Sequence, residues 1–371
     1  MSVCSLLLLF VLARLVYYWL YKTPLEDSVG KDFFSFYSAS QMLHAGKAAE
    51  IFIPESFKAM LHGYGYDHMW QWLYPPSFLP VIGWLQALPY YPAQVVFVGL
   101  QLALYAAACW KYLARDRVEM LVFLGIPCVA MGLVFGQVVV LIGALYILGF
   151  RFLEKNPELA GMCWGLAAVK PSLLVFIPVM LLASRNYRAL VWMVVTMALM
   201  GVFSIWIYGV DIWVNYLTIN IPSLKYYLSE LRPHHYDMPT VYAMLLMLGV
   251  RASYMQVVEV LLLLVGAVWV WCLSRGGREI MLWQAAVVSL LTMLVTPYAS
   301  YDDFVIAVPF FVAWFIRRFD DMGVGGLAVL LAVYWLDRIT LLLNHALVPV
   351  MPLLLLGAVG FVYRAERRVM K

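Results

Sequence analysis

Residues 254–273 read YMQVVEVLLLLVGAVWVWCL, and from Leu261 to Trp271 the run is apolar all round. A membrane β-strand alternates apolar with polar over about ten residues, so this segment is a helix, and its length is what a bilayer crossing requires. The rest of the chain repeats the pattern at 2–21, 93–113, 119–134, 137–152, 158–170, 172–184, 189–209, 279–297, 303–316, 323–341 and 346–363. The expectation is an all-α polytopic membrane protein with about twelve transmembrane helices, forming one integral membrane domain over 1–371. Composition agrees. Of 371 residues, 65% are hydrophobic and 12% charged, and the mean hydropathy is +0.86; a soluble domain carries about 25% charged residues. Soluble enzymes, disordered chains and secreted disulfide scaffolds are excluded.

The N-terminal run carries Arg14 and is followed by Tyr21, Lys22 and Thr23 rather than by a small-residue cleavage site, so it reads as an uncleaved first span. Two further apolar stretches, 75–89 and 241–250, are short or interrupted by Pro75, Pro76, Pro80 and Pro89, and are expected not to cross. With that choice Arg115/Arg117, Arg151/Lys155, Arg185/Arg188, Arg275/Arg278, Arg317/Arg318 and the basic tail share one side. By the positive-inside rule this side is the cytoplasm, which also receives both termini. The net charge of +4 is therefore a topology signal, and nucleic acid is not implied. The five cysteines lie in or against apolar runs without metal or disulfide spacing and read as packing residues.

The opposite, outer face then receives the two long hydrophilic segments, 22–74 and 210–253, together with the hairpins at Gly136-Gln137, Lys170-Pro171, Thr296 to Asp303 and Asn344-His345. Segment 22–74 is aromatic, with Phe33, Phe34, Phe36 and Tyr37, and a short helix is expected to start at Pro54 with Glu55 in its first turn. Such helices are expected to lie in the interface plane against membrane lipids.

The polar residues worth naming fall on that face. Asp32 sits among aromatic residues that would lower the local dielectric and raise its basicity, which suits a general base; an N-cap or solvated loop acid is the other reading. Lys170 lies between two half-length apolar segments, where a cation costs about 2.5 to 3.5 kcal/mol on insertion scales. A phosphate would offset that cost, with backbone donors at the Pro171-Ser172 helix start; snorkelling from a tight hairpin is the alternative. Tyr74, fixed by Pro75 and Pro76, is aimed at the outer vestibule or simply precedes a helix. Gln137 can hydrogen-bond a sugar or cap its hairpin. His234-His235 with Tyr301, Asp302 and Asp303 look like a metal set, but neither an HExxH spacing nor an EF-hand pattern is present, and no metal or other cofactor is expected. Glu259 lies inside a span and reads as functional or paired.

Lys31-Asp32-Phe33 with Tyr37 and Ala39, Tyr74-Pro75-Pro76, Gly136-Gln137, Ala168-Val169-Lys170-Pro171-Ser172 with Leu181-Leu182, and Thr296-Pro297-Tyr298 through Asp303 stand in an order that resembles glycosyltransferase family 87. This is a branch of the GT-C superfamily that includes polyprenyl-phosphate-mannose-dependent mannosyltransferases. The resemblance implies a GT-C-like hexosyltransferase of the bacterial cytoplasmic (inner) membrane, inverting, with its site facing the outside or periplasm. Its donor would be a polyprenyl-phosphate sugar and its acceptor a lipid or glycan. Asp32 would act as base on the acceptor hydroxyl, Lys170 and Ser172 would hold the donor phosphate, and Tyr74, Gln137, His234, His235, Tyr301, Asp302 and Asp303 would meet sugar and acceptor. Some members carry a histidine pair where this chain has Asp302-Asp303, so no histidine role carries over there and the sugar stays open. Two other classes compete. A transporter would place ionisable groups at the midplane in pseudo-repeats, and an O-antigen-ligase-like transferase would rely on Arg232 and the His234-His235 pair in the second outer loop.

Overall fold

The computed structural model describes residues 30–63, 71–224, 238, 240–296, 298–335 and 350–369. Every regular element among them is helical. Residues 30–63 fold into α1 (Lys31–His44) and α2 (Pro54–His62), the latter beginning at Pro54 with Glu55 in its first turn. A run of single turns over Pro76–Phe78, Leu79–Ile82 and Leu85–Ala87 follows, each too short to cross a membrane.

Next come α3 (Tyr90–Tyr112), α4 (Arg117–Leu124), α5 (Pro127–Phe135), α6 (Val139–Phe152), α7 (Pro157–Ala167), α8 (Ile177–Ala183) and α9 (Tyr187–Tyr208). The second half holds α10 (Val241–Met247), α11 (Ala252–Ser274), α12 (Leu282–Val295), α13 (Val308–Arg317), α14 (Gly323–Tyr334) and α15 (Met351–Val369).

Among the described residues three helices are long and apolar enough to cross, Tyr90–Tyr112, Tyr187–Tyr208 and Ser253–Ser274. A fourth arises if α4 and α5, bent by 53° at their junction, count as one span. Among the described residues the helices of full spanning length stop short of the expected twelve. Val139–Phe152, Pro171–Ala183, Leu282–Val295, Val308–Arg317 and Gly325–Tyr334 are apolar stretches of only 10–17 residues, because runs that look uniform in hydropathy are cut by backbone breakers. The 119–134 run breaks at Gly125 before Pro127, and the 303–316 run yields its first turns to a 3₁₀ helix over Tyr301–Ile306. The 2–21 run lies outside the described residues.

Short helices make the core and long ones surround it. Most of α6, every residue of α12 from Trp283 to Val295, and Val308–Phe315 of α13 are buried. In contrast α9 and α11 expose Val191, Leu199, Trp206, Leu261, Leu264 and Val265, an apolar surface that suits lipid and not water. Helices α7 and α9 approach most closely through Gly161 and Gly165, a G-x-x-x-G pair. A Cβ at Gly161 would collide with the Ala189 carbonyl, and one at Gly165 would come within 2.5 Å of Thr196 Cβ.

The bundle has two chemically different ends. At one, the Arg317 guanidinium donates to the Tyr112 carbonyl (3.3 Å), Arg318 pairs with Glu366 (3.1 Å), Arg188 pairs with Glu158, and Asn186 donates to the Arg278 carbonyl (2.9 Å). The basic loops thus gather together. Following α6, α7, α12 and α13 to their other ends leads to Gln137, Lys170, Thr296 and Asp303. The stretches around Gln71 and Asn220 also meet: Gln71 Nε2 donates to the Asn220 carbonyl (3.0 Å) and Asn220 Nδ2 to the Trp72 carbonyl (3.1 Å).

α5 closes at Gly136, whose φ of 70° is left-handed, with the Gln137 N–H donating to the Gly132 carbonyl at 2.8 Å. The same glycine accepts the side chain of Phe33, whose Cβ lies 2.5 Å from where a Gly136 Cβ would stand. Gly136→Ala is therefore expected to cost about 1–3 kcal/mol of stability through left-handed strain and overpacking. Gly99→Ala, with nothing within 4 Å of the added methyl, is expected to be neutral. Thermal unfolding in detergent compares the two.

Candidate active site

Lys170 and Asp303 form the centre of the site. The ammonium donates to both carboxylate oxygens, at 2.6 and 2.8 Å, with Lys170 8% exposed and Asp303 fully buried. Each is delivered by a turn between helices. Lys170 ends the α7 hairpin just before Pro171, and Asp303 lies in the first turn of the Tyr301–Ile306 3₁₀ helix. The hairpins are joined where Thr296 Oγ1 lies 3.2 Å from the Ser172 carbonyl. Asp303 also caps its own turn, accepting from the Ser300 N–H at 2.9 Å. The Tyr298 ring completes the enclosure, its centroid 5.6 Å from the Lys170 ammonium.

Burial pushes the Asp303 carboxyl up, to about 6, against the pull of Lys170. Burial also opposes the Lys170 charge, but Asp303, then Asp302 and Asp32, outweigh it and hold the ammonium above its ordinary value. At neutral pH the pair is ionised.

A second polar pair faces this one. Tyr74 donates to Gln137 Oε1 at 2.7 Å. The phenol is pushed well above its usual range by burial first, then by Asp32, Asp303, Tyr298 and Asp302, which places all four groups within electrostatic reach of it. Its ring is wedged among Phe78, Phe36 and Trp72, with centroids 4.8, 5.3 and 5.5 Å away.

Asp32 stands in the first turn of α1. Its position is set by Gly30, whose N–H donates to the Val134 carbonyl (2.8 Å) and whose carbonyl accepts from Tyr90 (3.3 Å), and by Phe33 seated on Gly136. Helix α1 is thereby hung from the ends of α5 and α3.

Of the residues the sequence singled out, the structure brings Asp32, Tyr74, Gln137, Lys170, Asp302 and Asp303 into one electrostatic cluster. Ser172 joins through its backbone carbonyl, as part of the clasp to Thr296. Tyr301 is buried in the turn that carries the aspartates. His234, His235 and Arg232 lie outside the described residues. Sequence reasoning sought a phosphate to compensate Lys170 and missed that Asp303 does so within the chain. The signal was present: opposite charges at the ends of half-length apolar runs on the same face form pairs by default. Tyr298, Thr296 and Ser300 were quoted without a role. No group of three or more His, Cys, Asp or Glu that could hold a metal ion occurs among the described residues.

Among the described residues an all-helical fold with apolar membrane-length helices and a buried ionic cluster at one end defines a membrane protein. The family model of glycosyltransferase family 87 matches residues 72–297, more than half of the chain. The chain belongs to glycosyltransferase family 87 and is a membrane glycosyltransferase. No curated protein and no solved structure matches it. The matched stretch includes Tyr74, Gln137 and Lys170, while Asp32, Asp302 and Asp303 flank it.

Removing the ammonium should expose the cost of the buried carboxylate. Lys170→Met is expected to destabilise by about 3–5 kcal/mol, and Lys170→Met with Asp303→Leu to regain most of it. An unpaired Asp303, its folded pKa raised further, takes up a proton more readily than the unfolded chain does. The deficit of the single variant should therefore shrink as pH is lowered through that raised value and grow as pH rises. Thermal unfolding of the three proteins at pH 5 and pH 8 measures both effects.

Proposed function

We propose that this glycosyltransferase moves a hexosyl unit from a polyprenyl-phosphate donor to a hydroxyl of a lipid or glycan acceptor, on the face of the membrane opposite the basic loops. The observation that carries the reading is the convergence of Asp32, Tyr74, Gln137, Lys170 and the Asp302-Asp303 turn on one buried cluster at that end of the bundle. A donor carried on a lipid tail reaches such a site sideways through apolar helices.

Asp32 accepts the acceptor's hydroxyl proton as that oxygen attacks the anomeric carbon. The bond to the phosphate oxygen breaks on the opposite side, so the configuration inverts and the lipid phosphate departs with the bonding electrons. That leaving group needs no protonation, and a second catalytic acid is not required as in glycosidases. Lys170 spends two of its three N–H donors on Asp303; the third is left for a phosphate oxygen, beside the turn that begins at Pro171-Ser172. Tyr74 and Gln137 offer a hydroxyl and an amide to sugar or acceptor.

Asp32→Asn keeps the shape and removes the base. It is expected to reduce turnover on the order of a hundredfold to ten-thousandfold while donor binding is retained. Reconstituted protein with polyprenyl-phosphate hexose and a lipid alcohol provides the assay. Retention of more than about a tenth of wild-type turnover, under about 1.4 kcal/mol, would make Asp32 a structural acid.

A further inference from the structure

The carboxylates around Lys170 are not equivalent in their hydrogen bonding. Asp303 is spent, with both oxygens on the lysine and one also on the Ser300 N–H. Asp302 is half spent. Its Oδ1 takes the Ser300 hydroxyl, while its Oδ2 is buried and has no hydrogen-bond partner among the described residues, in a side chain only 6% exposed. A buried carboxyl oxygen without a donor among the described residues is a cost to the fold, and such groups in native structures call for a partner.

The sign of the surroundings says what kind of partner fits. Among the described residues the charged groups reaching the cluster are Asp32, Asp302 and Asp303 against Lys170, an excess of negative charge. A phosphate or a uronate carboxylate beside Asp302 would be repelled by Asp302 itself and by Asp303 behind it. A neutral hydroxyl donates to a carboxylate without adding charge, and a pair of neighbouring hydroxyls satisfies it best.

Resting on the donor reading above, we propose that Asp302 is the residue that reads the sugar: its Oδ2 accepts from hydroxyls of a neutral hexosyl ring, while Ser300 fixes the carboxylate through Oδ1. The donor phosphate is met instead by the Lys170 ammonium, whose charge offsets the repulsion of the neighbouring carboxylates. The site therefore selects uncharged sugars with a free hydroxyl at the position Asp302 meets, and rejects uronic acids. Because Oδ2 is covered in the empty protein, entry of the sugar displaces part of its cover.

The test compares wild type, Asp302→Asn and Ser300→Ala with polyprenyl-phosphate hexose, its singly deoxygenated analogues and the corresponding uronic acid donor. Wild type should reject one deoxy analogue by at least a hundredfold in kcat/KM, as sites built around a substrate hydroxyl do. In Asp302→Asn the donor KM should rise at least tenfold and that discrimination should fall below about tenfold, with Ser300→Ala moving the same way by less. The empty Asp302→Asn protein should melt no lower than wild type, because the amide keeps the shape and the Oδ1 contact to Ser300. A purely structural aspartate gives the opposite pattern, a lower melting temperature with donor discrimination unchanged within threefold, and that result overturns the proposal. Wild type that transfers no polyprenyl-phosphate sugar defeats the donor reading and this inference together. Wild type that transfers with the variant equally selective defeats this inference alone.

Discussion

A lysine and an aspartate buried against each other in an apolar bundle impose the strictest demand on this structure. Separating either from its partner leaves a bare charge where water does not reach, so the α7 hairpin and the Tyr301–Ile306 turn must close on one another whenever the chain folds. Two elements more than a hundred residues apart in sequence are brought into register by a contact with defined length and direction. Around that contact the remaining polar groups fall into place. Thr296 reaches Ser172 because the hairpins are already adjacent, and Ser300 caps a turn whose second acid, Asp303, is held from the other side by Lys170.

The second support is aromatic. Phe36 meets Trp72, Tyr74 and Phe78 edge to face, Tyr74 lies tilted on Phe78, and Phe33 packs near Phe97 at 5.6 Å. Such rings combine large buried area with few rotatable bonds, so they hold the one polar atom they carry with little loss of precision. The hydroxyl of Tyr74 and the amide of Gln137 meet across this floor. Gly136 lets α5 end at the point where Phe33 needs room, and in doing so sets the height of Asp32.

Much of this was legible in the chain itself. Helical architecture followed from runs such as 261–271, the start of α2 from Pro54 and Glu55, and the grouping of polar turns at one end from the placement of arginines alone. Span length was not legible. Hydropathy averages over the glycines and prolines that cut α4 from α5 and delay α13, so a run of apolar residues looks continuous where the backbone is not. The partner of Lys170 was hidden for a different reason: sequence shows which charges are near an apolar boundary but not which two hairpins touch. Asp32, Lys170, Gln137 and Tyr74 could be named one by one, while the unequal standing of Asp302 and Asp303 is a property of hydrogen bonds and exists only in three dimensions.

The short central helices have a consequence for the membrane around them. The Leu141 N–H, near the start of α6, donates to Gln101, eleven residues into α3. From Gln101 back to Tyr90, α3 covers about 16 Å at 1.5 Å per residue, and at that end the Tyr90 hydroxyl donates to the Gly30 carbonyl. Helices too short to cross thus stand among longer ones, and a bilayer adapts to such a mismatch by thinning locally, at fractions of a kcal/mol per ångström. Leaflet thickness is then a variable to which the packing of the polar end of the bundle answers.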